Sequence, residues 1–489
     1  MRKKGYASAN EKILLFTKPV CYDSPYPNHW SEVKHMKYLF TAKCRFSLVL
    51  VCMLVFASSG RAQSQEAKNA FNGSLACPEI DYDCRINNFT RVIQLDPTFF
   101  EAYLNRAIAY RKKNRNDLAL ADLNKALELR LDFAPAYNFR GIIISETGNL
   151  ELALADFNKS IQLKPDVAEF YNNRGFTYRR LGNNRLALED FDKAILLYGD
   201  SSNGYLAYYN RGLVRCFQGC SDLALADYNK ALQLNPNYAE AYVERGSAYD
   251  SKRRFDLALA DYNKALQLKP DIPQAYNGRG WVYHQQRFFD RAIADYTAAI
   301  RLKPDYGTAY CNRGVAYAEI GKYDLAIEDD TKALELDPNL NDEIYRSRAL
   351  AYFYKNDGES AYRDTVTYLK RNGLKGDAAP YGIMIGYLGL RKTGNTTGAD
   401  TFLRDWLRLL KPGAWSTQIL KYFDGQLTAE ELLALANDND TQTEAHAYIG
   451  EILLSENKRA EAFEHFNWVK QNGNKTFIEY NFSLEELKR

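Results

Sequence analysis

The stretch YVERGSAYDSKRRFDLALADYNKALQLKP, running from Tyr242 to Pro270, decides the architecture. Its skeleton returns from Tyr276 to Pro304 and again from Tyr310 to Pro338, a period of 34 residues. With Tyr242 set as position 4 of a unit, Tyr242, Gly246 and Tyr249 occupy positions 4, 8 and 11 on one face of a first helix, A. Ala258, Tyr262 and Ala265 occupy positions 20, 24 and 27 of a second helix, B. Small residues at 8 and 20 let the two helices approach, and large residues at 4, 11 and 24 fill the space beside that contact. Pro270, at position 32, cannot continue a helix and marks the exit to the next unit.

The same register extends outward. Position 4 is Tyr103, Tyr137, Tyr171, Tyr208, Tyr242, Tyr276, Tyr310 and Tyr345. Position 20 is Ala119, Ala153, Ala187, Ala224, Ala258, Ala292, Ala326 and Ala361. Departures are local: Asp330 replaces the aromatic at 24, Ile144 and Arg215 replace Tyr at 11, and Gly199–Gly204 carries an insertion. Position 7 is Arg in eight successive units, and sixteen residues later each unit has Asp. The series includes Arg245 with Asp261, Arg279 with Asp295, and Arg313 with Asp329. Positions 7 and 23 face each other across an antiparallel pair, so a repeated ion-pair ladder is expected. The Arg fork matches a carboxylate with two parallel bonds, and Asp261→Ala is expected to lower stability.

This skeleton resembles the tetratricopeptide repeat. The resemblance implies an all-α fold, a right-handed superhelical solenoid of helix pairs with a degenerate C-terminal helical cap, and a protein or extended-peptide partner. It also implies that helix A lines the inner groove through positions 2, 5, 6, 9, 12 and 13. Position 6 carries Asn105, Asn173, Asn210 and Asn312. An Asn amide both donates and accepts, which suits capture of a peptide backbone. Phe176, Trp281 and His284 are the expected apolar anchors, with Phe217. Glu146, Glu244, Asp250 and Glu319 stand beside Arg179 and Arg180, so mixed charge is expected along the groove.

The organisation reads as follows. Residues 1–35 look like an extra N-terminal extension or an over-extended gene start. Residues 36–62 read as a cleavable signal peptide: Lys37, Lys43 and Arg45 precede the apolar run FSLVLVCMLVFAS at 46–58, and Gly60-Arg61-Ala62 follows. That run is short for a membrane-spanning helix, so no integral span is expected after cleavage. Export to the periplasm or the exterior is the expectation. An incomplete capping repeat covers 66–99, seven repeats 100–341, degenerate helical repeats 342–412, and a distinct helical region 413–489. The first 62 residues hold 10 Lys and Arg against 3 Asp and Glu. The remainder has 54 basic and 58 acidic residues, which gives no basic footprint for nucleic acid. Export permits disulfides. Cys77 and Cys84 flank a short turn and are expected to bridge. Cys216 and Cys220, four apart, read equally as a pair or as two small apolar fillers.

The C-terminal features are similar, in their order, to those of the NlpI-like tetratricopeptide adaptors of the bacterial cell envelope. The residues that carry this are Trp415, Ile419–Gly425, Thr428–Leu432, Ala447–Gly450, Asn474–Tyr480 and Glu485–Leu487, with Thr428 and Glu431 forming a capping box. The resemblance implies an adaptor that gathers peptidoglycan hydrolases or a protease. This chain departs from it in lacking a lipoprotein cysteine signal and in having more repeats. A last repeat-like unit has Ile449-Gly450 at 7 and 8, Ala462 at 20 and Phe466 at 24, and Thr476–Arg489 reads as a capping helix. Asn437–Thr443 reads as a polar loop.

No catalytic constellation appears. His284, His446 and His465 are scattered, and no zinc-spaced Cys pair or HExxH is present. Gly278-Arg279-Gly280 begins like a dinucleotide loop, but Tyr283 holds the third glycine position. Glu328-Asp329-Asp330 read as repeat residues and solvated charge. The expectation is a non-enzymatic scaffold or adaptor without cofactor or metal, which binds a partner in its groove. The alternative is a self-associating solenoid, a homo-oligomer whose role is assembly.

Overall fold

The computed structural model describes residues 64–75, 77–78, 81–374 and 378–488. The extension and the signal peptide lie outside the described residues. Among the described residues there are 25 α-helices, one 3-10 turn and no strand. Chain contacts divide them into two units, 64–257 and 258–488.

The first unit opens with α1 (Gln65–Leu75) and α2 (Tyr82–Leu95). A disulfide joins Cys77, in the link between them, to Cys84 in the first turn of α2, with Cα atoms 6.1 Å apart. Four regular pairs follow: α3 (Phe100–Lys112) with α4 (Asn116–Leu129), α5 (Ala134–Glu146) with α6 (Leu150–Leu163), α7 (Ala168–Arg180) with α8 (Asn184–Tyr198), and α9 (Tyr205–Phe217) with α10 (Ser221–Leu234). The insertion after α8 is absorbed by a single 3-10 turn, Ser202–Gly204. Helix α11 (Ala239–Ser251) is the A helix of the next pair, and its partner α12 (Phe255–Leu268) crosses the unit boundary.

The second unit continues the pattern with α13 (Pro273–Gln285) and α14 (Phe289–Leu302), α15 (Gly307–Glu319) and α16 (Tyr323–Leu336), and α17 (Glu343–Tyr354) and α18 (Gly358–Asn372). Then come α19 (Ala379–Lys392), α20 (Thr396–Leu407), α21 (Trp415–Phe423), α22 (Ala429–Leu435), α23 (Asn439–Ser455), α24 (Arg459–Asn472) and α25 (Ile478–Glu486).

Close packing inside a pair follows from the position 8 and 24 chemistry. A Cβ added at Gly212 would lie 2.6 Å from the Tyr228 ring, and one at Gly450 would lie 2.4 Å from Phe466. The aromatic therefore packs directly against bare backbone, where a side chain would collide with it. The turn between A and B places position 15 in left-handed geometry, at Asn114, Gly148, Gly182, Gly219, Gly321 and Asn356. Arg253 and Arg287 hold the same position with φ of 57° and 63° despite bearing a full side chain.

Helix boundaries near the C-terminus differ from expectation at one point. Residues 439–443 are helical rather than loop, because the Asp438 carboxylate accepts the Thr441 backbone N–H and starts α23 there. Thr428 and Glu431 form the reciprocal capping box that starts α22.

Candidate functional site

The ladder residues sit between helices rather than in the groove. Seven Arg–Asp pairs close at 2.6–2.8 Å: Arg106–Asp122, Arg140–Asp156, Arg174–Asp190, Arg211–Asp227, Arg279–Asp295, Arg313–Asp329 and Arg348–Asp364. In Arg279 the Nε and Nη2 donate to the two oxygens of Asp295 at 2.8 and 2.7 Å. Its remaining nitrogen, Nη1, donates to Asn263 at 2.6 Å. Asn263 is position 25 of the preceding repeat, and the same link recurs from Arg140 to Asn124, Arg174 to Asn158 and Arg313 to Thr297. Each guanidinium thus ties its own helix B to the helix B before it. The repeated polar residue at position 25 was the available signal for this in the sequence. Tyr at positions 4 and 11 flanks the same group, as where Arg313 lies 5.6 Å from the Tyr310 ring and 5.8 Å from Tyr317. Arg245, on α11, donates to Asn229 at 2.7 Å and lies over Tyr242, and Asp261 is buried on α12.

The position-6 asparagines are placed differently from the free donors expected. Asn173 Nδ2 donates to Asn138 Oδ1 at 3.0 Å, Asn210 to Asn172 at 3.2 Å, and Asn312 to Asn277 at 3.1 Å. Asn105 Nδ2 donates to the Glu101 carbonyl. All four are buried. Neighbouring A helices are joined by amide-to-amide bonds between positions 6 and 5, so these side chains hold the face together. Phe176 also departs from its anchor role, since it packs in the core with Ala187, Phe191 and Val214. Trp281 and His284 stay together on α13, with rings stacked at 5.3 Å, and Phe289 meets His284 edge-on.

Several polar groups on the A helices have no matching partner among the described residues. Glu244 is pushed up to about 7 by burial, with Arg179 acting the other way, and its Oε2 finds no donor among the described residues. His284 is held down to about 4 by burial and by Arg287, and neither ring nitrogen has a partner among the described residues. Burial raises Glu319 too, against the pull of Arg287. Elsewhere Arg111 forms an ion pair with Glu146, and Arg180 donates to the neutral Ser145 side chain. Asp330 is not solvated, as its spacing implied, but fully buried, while its neighbour Asp329 serves the ladder.

The C-terminal residues that carry the envelope resemblance are engaged in packing. Trp415 Nε1 donates to the buried Glu444 at 2.8 Å, and Tyr381 donates to the same carboxylate. Tyr448 donates to Glu479 at 3.0 Å. His446 and His465, scattered in the sequence, meet with Nδ1 atoms 2.9 Å apart, and Trp468 stacks on His446. The helix pair α23–α24 brings them together across nineteen residues. Cys216 is half-buried and Cys220 exposed, and they are not joined to each other. Among the described residues no group of three or more His, Cys, Asp or Glu is placed to hold a metal, and no helix is long and apolar enough to cross a membrane.

This geometry defines a tetratricopeptide solenoid, and family comparison agrees. Tetratricopeptide repeat models match residues 88–121, 143–182, 168–201, 205–238, 239–272 and 277–341. The chain carries tetratricopeptide repeats over these segments. Among curated proteins nothing matches. Solved structures similar to it include a tetratricopeptide repeat protein from Parabacteroides merdae, at 20% identity, covering 52% of this chain and 99% of that one, with a TM-score of 0.42. PilF of Pseudomonas aeruginosa is 20% identical over 46% of this chain and 97% of its own, with a TM-score of 0.40. YrrB, described as a tetratricopeptide protein with an unusual peptide-binding site, is 25% identical over 38% of this chain and 95% of its own, with a TM-score of 0.31.

Proposed function

We propose that this chain is an exported, non-enzymatic scaffold that binds an extended peptide or protein segment on its helix-A face, and so coordinates hydrolases or proteases of the cell envelope. One observation carries the binding reading. Helix-B carboxylates of the ladder are matched by guanidinium groups, whereas Glu244 and His284 on A helices keep buried polar atoms without a partner among the described residues. Burying a polar group unpaired is costly, and a bound backbone or side chain would supply the missing bonds. The apolar run at 46–58 supports export. The C-terminal similarity supports the envelope, although its residues serve packing, so the partner's identity rests on the groove.

The test is affinity capture from an envelope extract, with the full chain as bait beside a Glu244→Gln/His284→Ala variant. Envelope enzymes recovered by the first and lost by the second are expected. Equal recovery by both refutes the assignment of the face. Light scattering on the same sample separates this reading from self-assembly, which requires an oligomer.

A further inference from the structure

Position 24 of the seventh repeat is Asp330, where most repeats place an aromatic ring on the glycine at position 8. Asp330 is fully buried beside the Ser347 side chain, and neither of its oxygens meets a donor in good geometry. On the far side of Ser347 lies a cavity of about 310 Å³, walled by α15, α17 and α25. Leu350 and Leu484 give it apolar sides. Its charged groups are unevenly matched. Arg346 Nε donates to Glu343 at 2.6 Å, and Lys488 pairs with Glu485 at 2.6 Å. Glu319 has no hydrogen bond or ion pair to a described residue, and Arg287 acts on it only through space. The carboxylate of the wall left without a counter-charge is therefore that of Glu319, because burial raises Asp330, behind the wall, well above the ordinary carboxylate range.

We propose that this cavity receives the side chain of a lysine or arginine from an extended partner segment on the helix-A face, with the Glu319 carboxylate as counter-ion. The proposal rests on the peptide-binding reading above and names the chemistry of one subsite. Lys and Arg present an apolar stem with a charged head, which fits Leu350 and Leu484 along the wall and Glu319 at the end. An anionic side chain would meet the Glu319 carboxylate with no cation between them. A neutral one would leave Glu319 as it stands. Burial holds the Glu319 proton more firmly than usual, and a bound cation requires that proton to leave. Affinity for the basic residue therefore falls on acidification, beginning above the ordinary carboxylate range. The other charged groups about Glu319 are Arg287, Arg346 with Glu343, and Lys488 with Glu485, while Tyr323 and Tyr354 line the same wall.

The experiment is binding of a positional-scanning octapeptide library to the full chain, followed by fluorescence polarisation. Wild type is expected to prefer Lys or Arg at one library position. Glu319→Gln, with helicity unchanged by circular dichroism, is expected to lose that preference by at least about tenfold, while Glu485→Gln in the same wall keeps it. Peptides that bind without a basic preference, or a preference that survives Glu319→Gln, overturn the subsite and leave the groove reading intact. A library in which no peptide binds wild type overturns both.

Discussion

Residues 100–341 and residues 342–488 are both made of paired helices, yet they hold together by different means. In the first region the buried apolar side chains fall into small local groups. Ala292, Tyr296 and Ala316 form one, and Ala299, Tyr306 and Ala309 another. Between such groups run the guanidinium forks, each joined to its own repeat and to the one before. In the second region one apolar cluster reaches from Ala349 to Phe482 and includes Tyr368, Tyr387, Phe423, Tyr448 and Phe466. Its links are long in sequence: Arg391 donates to Ser455, 64 residues away, and Tyr381 to Glu444, 63 away. Beyond the last ladder rung, Arg348–Asp364, the buried Glu444 and Glu479 accept from aromatic O–H and N–H groups rather than from arginine. A repeat array couples each unit to its neighbours, whereas a shared core couples everything that touches it. Loss of a strict repeat after residue 342 therefore signals a different source of cooperativity.

The largest expected effect tests the shared core. Phe466→Ala empties a fully buried site against Gly450 and is expected to cost about 3–5 kcal/mol. Hydrogen exchange should show lost protection spreading through α19 to α25, with α13 to α16 still protected. Loss confined to α23 and α24 would break the comparison. Next is Asp295→Ala, which strands the Arg279 fork. Because that arginine is partly exposed, the expected cost is about 2–3 kcal/mol. Its loss of protection should stop at α13, α14 and their immediate neighbours, and a spread into α23 would contradict nearest-neighbour coupling.

A pH titration sharpens the same contrast. Burial holds His446 down to about 4, with His465 adding repulsion, and burial lowers His465 too. Both rings stay neutral in the fold, while in the unfolded chain they protonate near 6.5. The unfolded state binds more protons as pH falls from 6.5 towards 4, so stability from this pair is lost over that window. Thermal melting of the C-terminal region should fall there, and His446→Gln should flatten the dependence. An unchanged slope would remove the pair from the account.

The smallest effect lies in the repeats. Arg253 adopts φ of 57° at a position that all the other regular repeats but one give to glycine or asparagine. Arg253→Gly is expected to raise stability by about 1 kcal/mol, measured by denaturant melting. A decrease would mean that the contact of Arg253 with the Phe255 ring outweighs the strain.

The helix pairs were legible because position 20 is alanine in every unit, position 8 is always glycine or alanine, and position 24 is aromatic in five of the seven regular repeats. The Arg–Asp ladder was legible because two charged residues recurred sixteen apart. The contacts of the side chains expected to line a groove were not legible. Asn173, Asn210 and Asn312 had the composition of a peptide-binding row, but the same amide groups can bond each other, and neighbouring A helices bring position 6 within reach of position 5. Phe176 followed the groove numbering, yet its ring meets Phe191 and Val214. His446 and His465 gave no signal, since nothing in a nineteen-residue spacing fixes the angle between α23 and α24.

By itself, the sequence determined what repeats: helix pairs, their register, their turns and the charge at positions 7 and 23. Those depend on residues near one another along the chain, where helical geometry sets the neighbours in advance. Only the tertiary structure decided which polar groups are satisfied. The three bonds of each arginine, the amide links between A helices, the buried Asp330 and the unmatched Glu319 all depend on contacts between repeats or across a shared core. The geometry of those contacts is set by how whole helices pack, and no single periodicity encodes it.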